Sequence, residues 1–261
     1  MWGSRNREDM SRELAIVTGA TAGIGAATAR ALDAAGFDLV LVGRRADRLE
    51  ALRRELRGGE ARAMALDVTD KAALARAAVE HADVFERADV LVNNAGLALG
   101  TDPVQEGDPD EWDVVFDTNV KALLRLTRAV LPHMVRRGRG HIVNLGSTAG
   151  RWTYPGGAVY CASKFAVRAI SEGIRMDVLG SGVRVTNVEP GLVSGTEFSN
   201  VRFRGDEERA RKVYEGLQPL TPEDVAETIA WCVSRPAHVN VQEIVLFPTA
   251  QASVRDVRRA P

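Results

Sequence analysis

The stretch LAIVTGATAGIG, Leu14 to Gly25, decides the fold. Four apolar residues and Thr18 read as a short strand, which passes through a glycine-rich turn straight into the helical pattern GIGAATARALDAA. A strand without polar alternation is covered on both faces, and a strand followed at once by a helix opens a parallel βα unit. Gly19 permits the tight turn, Gly23 lets a phosphate approach the backbone, and Gly25 lets the helix pack against the strand. Free amides at the helix start make Gly19, Thr21, Gly23, Ile24 and Gly25 a candidate pyrophosphate cradle. The spacing is Gly-x-x-x-Gly-x-Gly rather than the commoner Gly-x-Gly-x-x-Gly, and alone it fits an ordinary strand-to-helix connection too.

Outward from this turn the same alternation repeats. FDLVLVG, ARAMAL, DVLVN, HIVNLG, VRVTNVE and EIVLF complete a set of seven expected strands, with helical patterns between them. The reading is α/β: a single Rossmann-type, doubly wound parallel seven-stranded sheet with helices on both faces. The second helix repeats Leu49, Leu52 and Leu56, and Asp70 is expected to cap the third. From Asp108 to Arg137 one continuous helix is expected, with Trp112, Val115, Phe116, Asn119, Leu123, Thr127 and Val130 on the stripe facing the sheet. After Gly157 a helix carries Val159, Ala162, Phe165, Ala166, Ala169 and Ile170 on one stripe, with Cys161, Val167, Ile174 and Val178 off it. Two apolar faces require two burial surfaces, so a homo-oligomer is expected, a tetramer or a dimer. Thr221 and Pro222 mark the start of the TPEDVAETIAWCV helix.

Residues 13–250 are read as one domain, 1–12 as an N-terminal extension in which Met10 could itself be a start, and 251–261 as a C-terminal tail. Residues 193–216 are expected to be a long irregular substrate loop.

Composition excludes several functions. With 261 residues, 45% hydrophobic and 26% charged, the chain can bury a sizeable core. Lys+Arg 34 against Asp+Glu 35 leaves a net charge of -1, so no general nucleic-acid binder is expected. Cys161 and Cys232 lie in apolar segments and read as buried thiols; His81, His133, His141 and His238 have no ligand spacing, and no metal is expected. No apolar run is long enough to span a membrane and the first residues lack a signal core, which implies a soluble, cytoplasmic protein.

At the end of the second strand, where an NAD site usually places a carboxylate, the chain has Gly43, Arg44 and Arg45. A guanidinium pairs with a 2'-phosphate that a carboxylate would repel, so NADP is the favoured cofactor. Arg44 is the firmer candidate; Arg45 fits an exposed helix start equally well. Tyr160 and Lys164 stand four apart on one helix and share a face. A nearby ammonium stabilises a phenolate, which brings Tyr160 into range as a proton carrier. Ser147, after the fifth strand, can bind a substrate oxygen as charge develops on it, and Asn119 within an apolar stripe calls for hydrogen-bond partners.

With TGATAGIG, the NNAG of Asn93 to Gly96, Ser147, and Tyr160 with Lys164 in order, the chain resembles a short-chain dehydrogenase/reductase from Leu14 to Phe247. The resemblance implies a catalytic tetrad of Asn119, Ser147, Tyr160 and Lys164, with Asn119 anchoring a water in the proton path and Lys164 also holding the nicotinamide ribose. It further implies that Asp67 binds the adenine amino group, that Asn93, Ala95 and Gly96 line the adenine side, and that Pro190, Gly191, Val193 and Thr196 contact the nicotinamide amide. NNAGLALG, GSTAG with Trp152 and Tyr154, EPGLVSGTEFSNVRFRGD, LTPEDV and PAHVN are similar to the branch of NADP-dependent 3-hydroxy acid dehydrogenases that act on serine, allo-threonine and related 3-hydroxy acids and reduce malonic semialdehyde to 3-hydroxypropionate. A small carboxylate needs a cation at the pocket, and Arg202 is the first candidate, with Arg204 and Arg151 behind it. Trp152 and Tyr154 are expected at the pocket wall. Other readings are a carbonyl or 3-oxoacyl reductase of the same family, and a non-catalytic NADP sensor.

Overall fold

The computed structural model describes residues 12–260. The expected extension therefore lies outside the described residues except for Arg12. Strand β1 (Leu14–Thr18) leads to helix α1 (Gly23–Ala34), β2 (Asp38–Gly43), α2 (Ala46–Glu55), β3 (Ala61–Ala65), α3 (Lys71–Glu80), α4 (Ala82–Arg87) and β4 (Val90–Asn93). The second half runs α5 (Pro109–Phe116), α6 (Leu123–Arg137), β5 (Gly140–Leu145), α7 (Ala158–Asp177), β6 (Val183–Pro190), α8 (Phe198–Arg202), α9 (Glu207–Lys212), α10 (Pro222–Val233) and β7 (Glu243–Leu246).

The seven strands form one sheet in the order β3-β2-β1-β4-β5-β6-β7, every pair parallel. The chain winds from β1 out to β3, then returns to the other side of β1 with β4. That reversal parts the connections at the carboxyl ends of β1 and β4 and leaves a crevice there. One core joins α1, α2 and α10 to the sheet through Leu32, Leu49 and Ile229 against Val17, Leu41 and Val92. The other joins α3, α4, α6 and α7 through Leu74, Phe85, Leu126, Met134 and Ile174 against Ile16, Leu91 and Ile142. Each fully buried Leu contributes about 2 kcal/mol on transfer from water, which is why the central strands tolerate no alternation.

The helix starts follow their side chains. Asp70 accepts from Ala72 N and Ala73 N, and Asp108 accepts from Asp110 N with Pro109 behind it. Thr221 and Asp224 form a reciprocal capping box on α10.

Three expectations need correction. The stretch from Asp108 to Arg137 is not one regular helix, because a wider π-helical turn (Asp117–Ala122) separates α5 from α6. Its insertion rotates the helix just where Asn119 must turn inward, and the expected stripe survives because Val115, Asn119, Leu123, Thr127 and Val130 are all buried. Residues 193–216 are not irregular throughout, since they carry α8 and α9, two helices too short to show a period. The C-terminal residues do not hang free: they turn back in a hairpin marked by the bridge between Gln251 and Val257.

On α7 the inner face carries Cys161, Lys164, Val167, Ser171 and Ile174, all buried. The outer face keeps Phe165 and Met176 exposed, at 38% and 58%. Both Cys161 and Cys232 are buried free thiols. No helix among the described residues is long and apolar enough to cross a membrane.

Candidate active site

A cleft of about 360 Å³ opens along the carboxyl ends of the central strands, between the glycine-rich turn on one side and residues 190–214 on the other. Its floor is tied together by Thr18, whose hydroxyl accepts from Asn94 N and Ala95 N, each at 3.0 Å. Asn94 Nδ2 donates back to Thr18 O at 2.8 Å, so the end of β4 is locked to the turn that follows β1.

The turn itself fits a phosphate. Gly19 and Gly23 have φ of 66° and 51°, the left-handed region that favours glycine. A Cβ on Gly23 would come 3.0 Å from Thr196 Cγ2 and fill the gap between the α1 start and the opposite wall. Ala22 gives α1 no side-chain cap and its first turn holds no acid, so the leading amides are left for an anion. Gly25 acts from behind: a Cβ there would lie 2.3 Å from Gly19 O, and the residue does not line the cleft.

At the far end both Arg44 and Arg45 line the cleft, with different surroundings. Arg44 is exposed. Arg45 donates to Thr21 Oγ1 at 2.6 and 3.2 Å and grips the Glu197 carboxylate at 2.8 and 2.9 Å. Arg48 adds a third contact to Glu197 at 2.6 Å, and these two cations hold the Glu197 carboxyl well down, to about 2. Asp67 also lines the cleft, its Oδ1 accepting from Thr69 N and Thr69 Oγ1.

The other end of the cleft is built by β5, α7 and the turn after β6. Ser147 follows β5, its Oγ accepting from Ala149 N at 3.1 Å and donating to Pro190 O at 3.5 Å. Tyr160 and Lys164 reach the cleft from the first turns of α7. Lys164, 6% exposed, donates to Leu145 O at 2.7 Å and lies 5.9 Å from the Tyr160 ring centre. Burial lowers its ammonium to about 8. Burial pushes the Tyr160 phenol up, reinforced by Tyr154, while a hydrogen bond from Ser147 and the charge of Arg202 pull it down. Burial disfavours either charged form, so a cation beside the phenol has leverage.

Arg202 supplies such a cation. Its guanidinium donates to Tyr154 Oη at 2.9 Å and lies 5.3 Å from the Tyr154 ring centre and 5.8 Å from that of Tyr160. Phe198 also packs against Tyr160, with ring centres 5.4 Å apart.

All the expected cofactor, catalytic and substrate residues line this cleft except Gly25, Asn93 and Asn119. Asn93 points away from it, donating to Asn144 Oδ1 at 2.8 Å and Thr127 Oγ1 at 3.1 Å inside the core. Strand alternation sends its neighbour Asn94 to the cleft instead. Asn119 is 2% exposed and stands behind the cleft; it clasps Leu97 through both backbone groups at 2.8 Å and donates to Ser163 Oγ at 3.0 Å. Both its amide hydrogens are thus committed to protein. Of the reserve arginines, Arg151 pairs with Glu189 and Glu243, and Arg204 with Glu111 and Asp102, both outside the cleft. Trp152 is not a wall residue; it is 43% exposed and pairs with Phe247. Tyr154 is not among the cleft-lining residues either; its Oη accepts from Arg202. Glu197 and the Ser199–Tyr214 hydrogen bond carried no sequence signal, because their partners are contributed by fold rather than by spacing.

The short chain dehydrogenase family model matches residues 13–207. The NADP-dependent 3-hydroxy acid dehydrogenase YdfG of Salmonella typhi is 48% identical over 239 residues, 92% of this chain and 96% of that protein. Sulfoacetaldehyde reductase 2 of Chromohalobacter salexigens is 45% identical over 242 residues, 92% of this chain and 96% of that protein. The closed form of serine dehydrogenase complexed with NADP+ superposes with a TM-score of 0.87 at 46% identity, covering 94% of this chain and 99% of the other. With the glycine-rich turn, the serine and the tyrosine–lysine pair brought to one cleft, the chain belongs to the short-chain dehydrogenase family of oxidoreductases.

Proposed function

We propose that this protein is an NADP-dependent dehydrogenase of small 3-hydroxy acids, of the L-serine, L-allo-threonine and 3-hydroxypropionate type, oxidising the 3-carbon or reducing the corresponding aldehyde or ketone. The observation that carries the substrate class is Arg202, a half-buried guanidinium facing the cleft beside Tyr160. A 3-hydroxy acid and sulfoacetaldehyde share one geometry: an anionic head separated by a single carbon from the reacting carbon. The similar proteins named for these compounds therefore agree with an anion anchor close to the proton carrier.

The glycine-rich turn would hold the pyrophosphate, Asp67 the adenine side, and Arg44 a 2'-phosphate, with no carboxylate at Gly43 to repel it. The bound dinucleotide supplies or accepts the hydride. Tyr160 Oη gives or takes the proton at the substrate oxygen, Ser147 donates a hydrogen bond to that oxygen, and Lys164 adds positive charge beside the phenol. Asn119 holds Leu97, and with it the segment that follows Gly96, against α7. The outer apolar face of α7 is proposed as a subunit contact of a homo-oligomer.

A spectrophotometric NADP+ reduction screen with L-serine, L-allo-threonine, 3-hydroxypropionate and simple secondary alcohols tests this reading. Turnover of the acids well above that of the alcohols is expected. Preference for the alcohols sinks the substrate class and favours a broad carbonyl reductase; better use of NADH than of NADPH sinks the cofactor assignment; no turnover with intact NADP+ binding favours a sensor.

A further inference from the structure

The hairpin that follows β7 is fastened to the cleft at its core rather than at its tip. Gln251 is 6% exposed. Its side-chain Oε1 accepts from Leu192 N at 2.8 Å and its Nε2 donates to Ser253 O at 3.0 Å, so both functions of the amide are in use. A Cβ on Gly191 would come 2.4 Å from Gln251 Oε1, which means the glycine makes room for this amide. Leu192 is gripped from both sides, because its own carbonyl accepts from Leu220 N at 2.9 Å. Gly191 and Leu192 line the cleft, and the carbonyl of Pro190 just before them accepts from the Ser147 hydroxyl.

The rest of the hairpin grips the substrate side. Arg255 Nε donates to Thr153 O at 3.1 Å, Arg259 Nη2 to Val213 O at 3.0 Å, and Ala260 N to Gly216 O at 2.6 Å. Residues 248–260 thus contact the loop after Ser147, the turn after β6 and the end of the substrate segment.

We propose that Gln251 is a positioning residue for the reaction: it fixes the Pro190–Val193 wall against Ser147, and the C-terminal hairpin braces that wall from outside the cleft. The energetic reason is that the half-buried Leu192 amide is satisfied by the buried side chain of Gln251, and a donor that loses such an acceptor is left short of a hydrogen bond or must move to find another. Moving it displaces the backbone that borders both the proposed nicotinamide end and the catalytic serine. This inference rests on the reading of the cleft as an NADP site.

The test compares Gln251→Met, similar in shape but without the acceptor, and Gln251→Glu, which keeps the acceptor for Leu192 N and gives up only the donor to Ser253 O when ionised. NADP+ binding to the purified proteins is titrated calorimetrically at pH 8 and pH 5.5, alongside KM and kcat at pH 8. Gln251→Met is expected to weaken NADP+ about tenfold at both pH values, the factor for one unsatisfied buried hydrogen bond. Gln251→Glu, whose carboxyl keeps an acceptor for Leu192 N–H in either protonation state, should lose less than Gln251→Met at both pH values, a retention that general destabilisation does not produce. Wild-type affinity in Gln251→Met, or equal loss in both variants at both pH values, overturns the inference; failure of the wild type to bind NADP+ overturns the cofactor reading instead. Should the variants not fold, hydrogen exchange of the wild type decides: Leu192 N–H is expected among the protected amides of the sheet ends, and exchange at the rate of an open loop refutes the brace.

Discussion

Replacing Arg202 by Met removes the charge while keeping much of the apolar stem that packs in the cleft. The guanidinium is half-buried, bonded to Tyr154 Oη at 2.9 Å, and 5.8 Å from the Tyr160 ring centre. A hydrogen bond to a charged group under partial burial contributes about 1.5–3 kcal/mol, which corresponds to a rise in KM of roughly 10- to 150-fold for a carboxylate substrate. An uncharged secondary alcohol of similar size has no anion to lose, so its KM should change by no more than about threefold. The same substitution has a second consequence. Arg202 pulls the Tyr160 phenol down, and without that cation the phenol rises further. For oxidation with Tyr160 as the proposed proton acceptor, the alkaline rise of kcat/KM should therefore move to higher pH. Initial rates with L-serine, 3-hydroxypropionate and 2-propanol across pH 6–10 measure both effects. Equal loss for the acids and the alcohol would refute the anchor; an unmoved pH profile would refute the electrostatic coupling while leaving the anchor in place.

Tyr160→Phe should lower turnover at least about 10²-fold, the range of a lost general acid–base, with NADP+ affinity within about twofold in fluorescence titration; retained turnover refutes its role. Arg44→Ala should weaken NADP+ about tenfold and leave NAD+ unchanged, whereas Arg45→Ala should do less, because Arg45 is already engaged by Thr21 and Glu197. The reverse ranking in calorimetry would assign the phosphate to Arg45. His141, 1% exposed and bonded to Thr186, is held neutral by burial with its imidazolium pushed down to about 3. Its folded value lies below the unfolded one near 6.5, so its contribution is complete above pH 6.5 and is lost as the pH falls toward 3, at about 1.4 kcal/mol per pH unit. Urea unfolding of wild type and His141→Asn at pH 7.5 and 5.5 should show the steeper acid loss in the wild type; parallel losses dismiss the buried imidazole as its source.

What the sequence revealed, and what it concealed, divides along a physical line. The strands were legible because both faces of β1, β2 and β4 are covered, so apolar runs mark them. Tyr160 and Lys164 were legible because four residues on a helix is a geometric relation as well as a spacing. The π-helical turn was not: the widening at Asp117–Ala122 rotates the helix, yet Val115, Asn119, Leu123 and Thr127 follow one another at the i, i+4 interval that also reads as an ordinary helical stripe. Neither were α8 and α9, whose five and six residues give no repeat to detect. Glu197 and Gln251 escaped for a different reason: each acts on a partner at least 59 residues away, across 152 positions for Arg45 and 59 for Leu192. An acid in a charged loop and an amide near a terminus acquire meaning only when the fold supplies the other half of the contact.

The same distinction governs the reacting centre. Spacing alone makes Lys164 the natural stabiliser of a Tyr160 phenolate, yet burial lowers the ammonium itself, to about 8, and so weakens its hold on the positive charge. Its attraction for a phenolate resists that loss, but only where the two ionise together, and burial works against both. Arg202 suffers no such competition, because a guanidinium stays charged across the working range. Placed between Tyr154 and Tyr160, it adds a permanent cation that the helix pair cannot guarantee. An anionic substrate seated on Arg202 would cancel much of that charge. The acid that binds best would therefore also raise the phenol beside it, favouring Tyr160 as the proton donor in reduction and asking more of Lys164 in oxidation. Product release in the reductive direction would reverse the effect by uncovering Arg202. A pH profile of kcat for oxidation that lies above the profile of free-enzyme kcat/KM for the acids, but not for neutral alcohols, is the expected signature of this exchange of charge; coincident profiles for both substrate types would remove Arg202 from the electrostatics of the proton step.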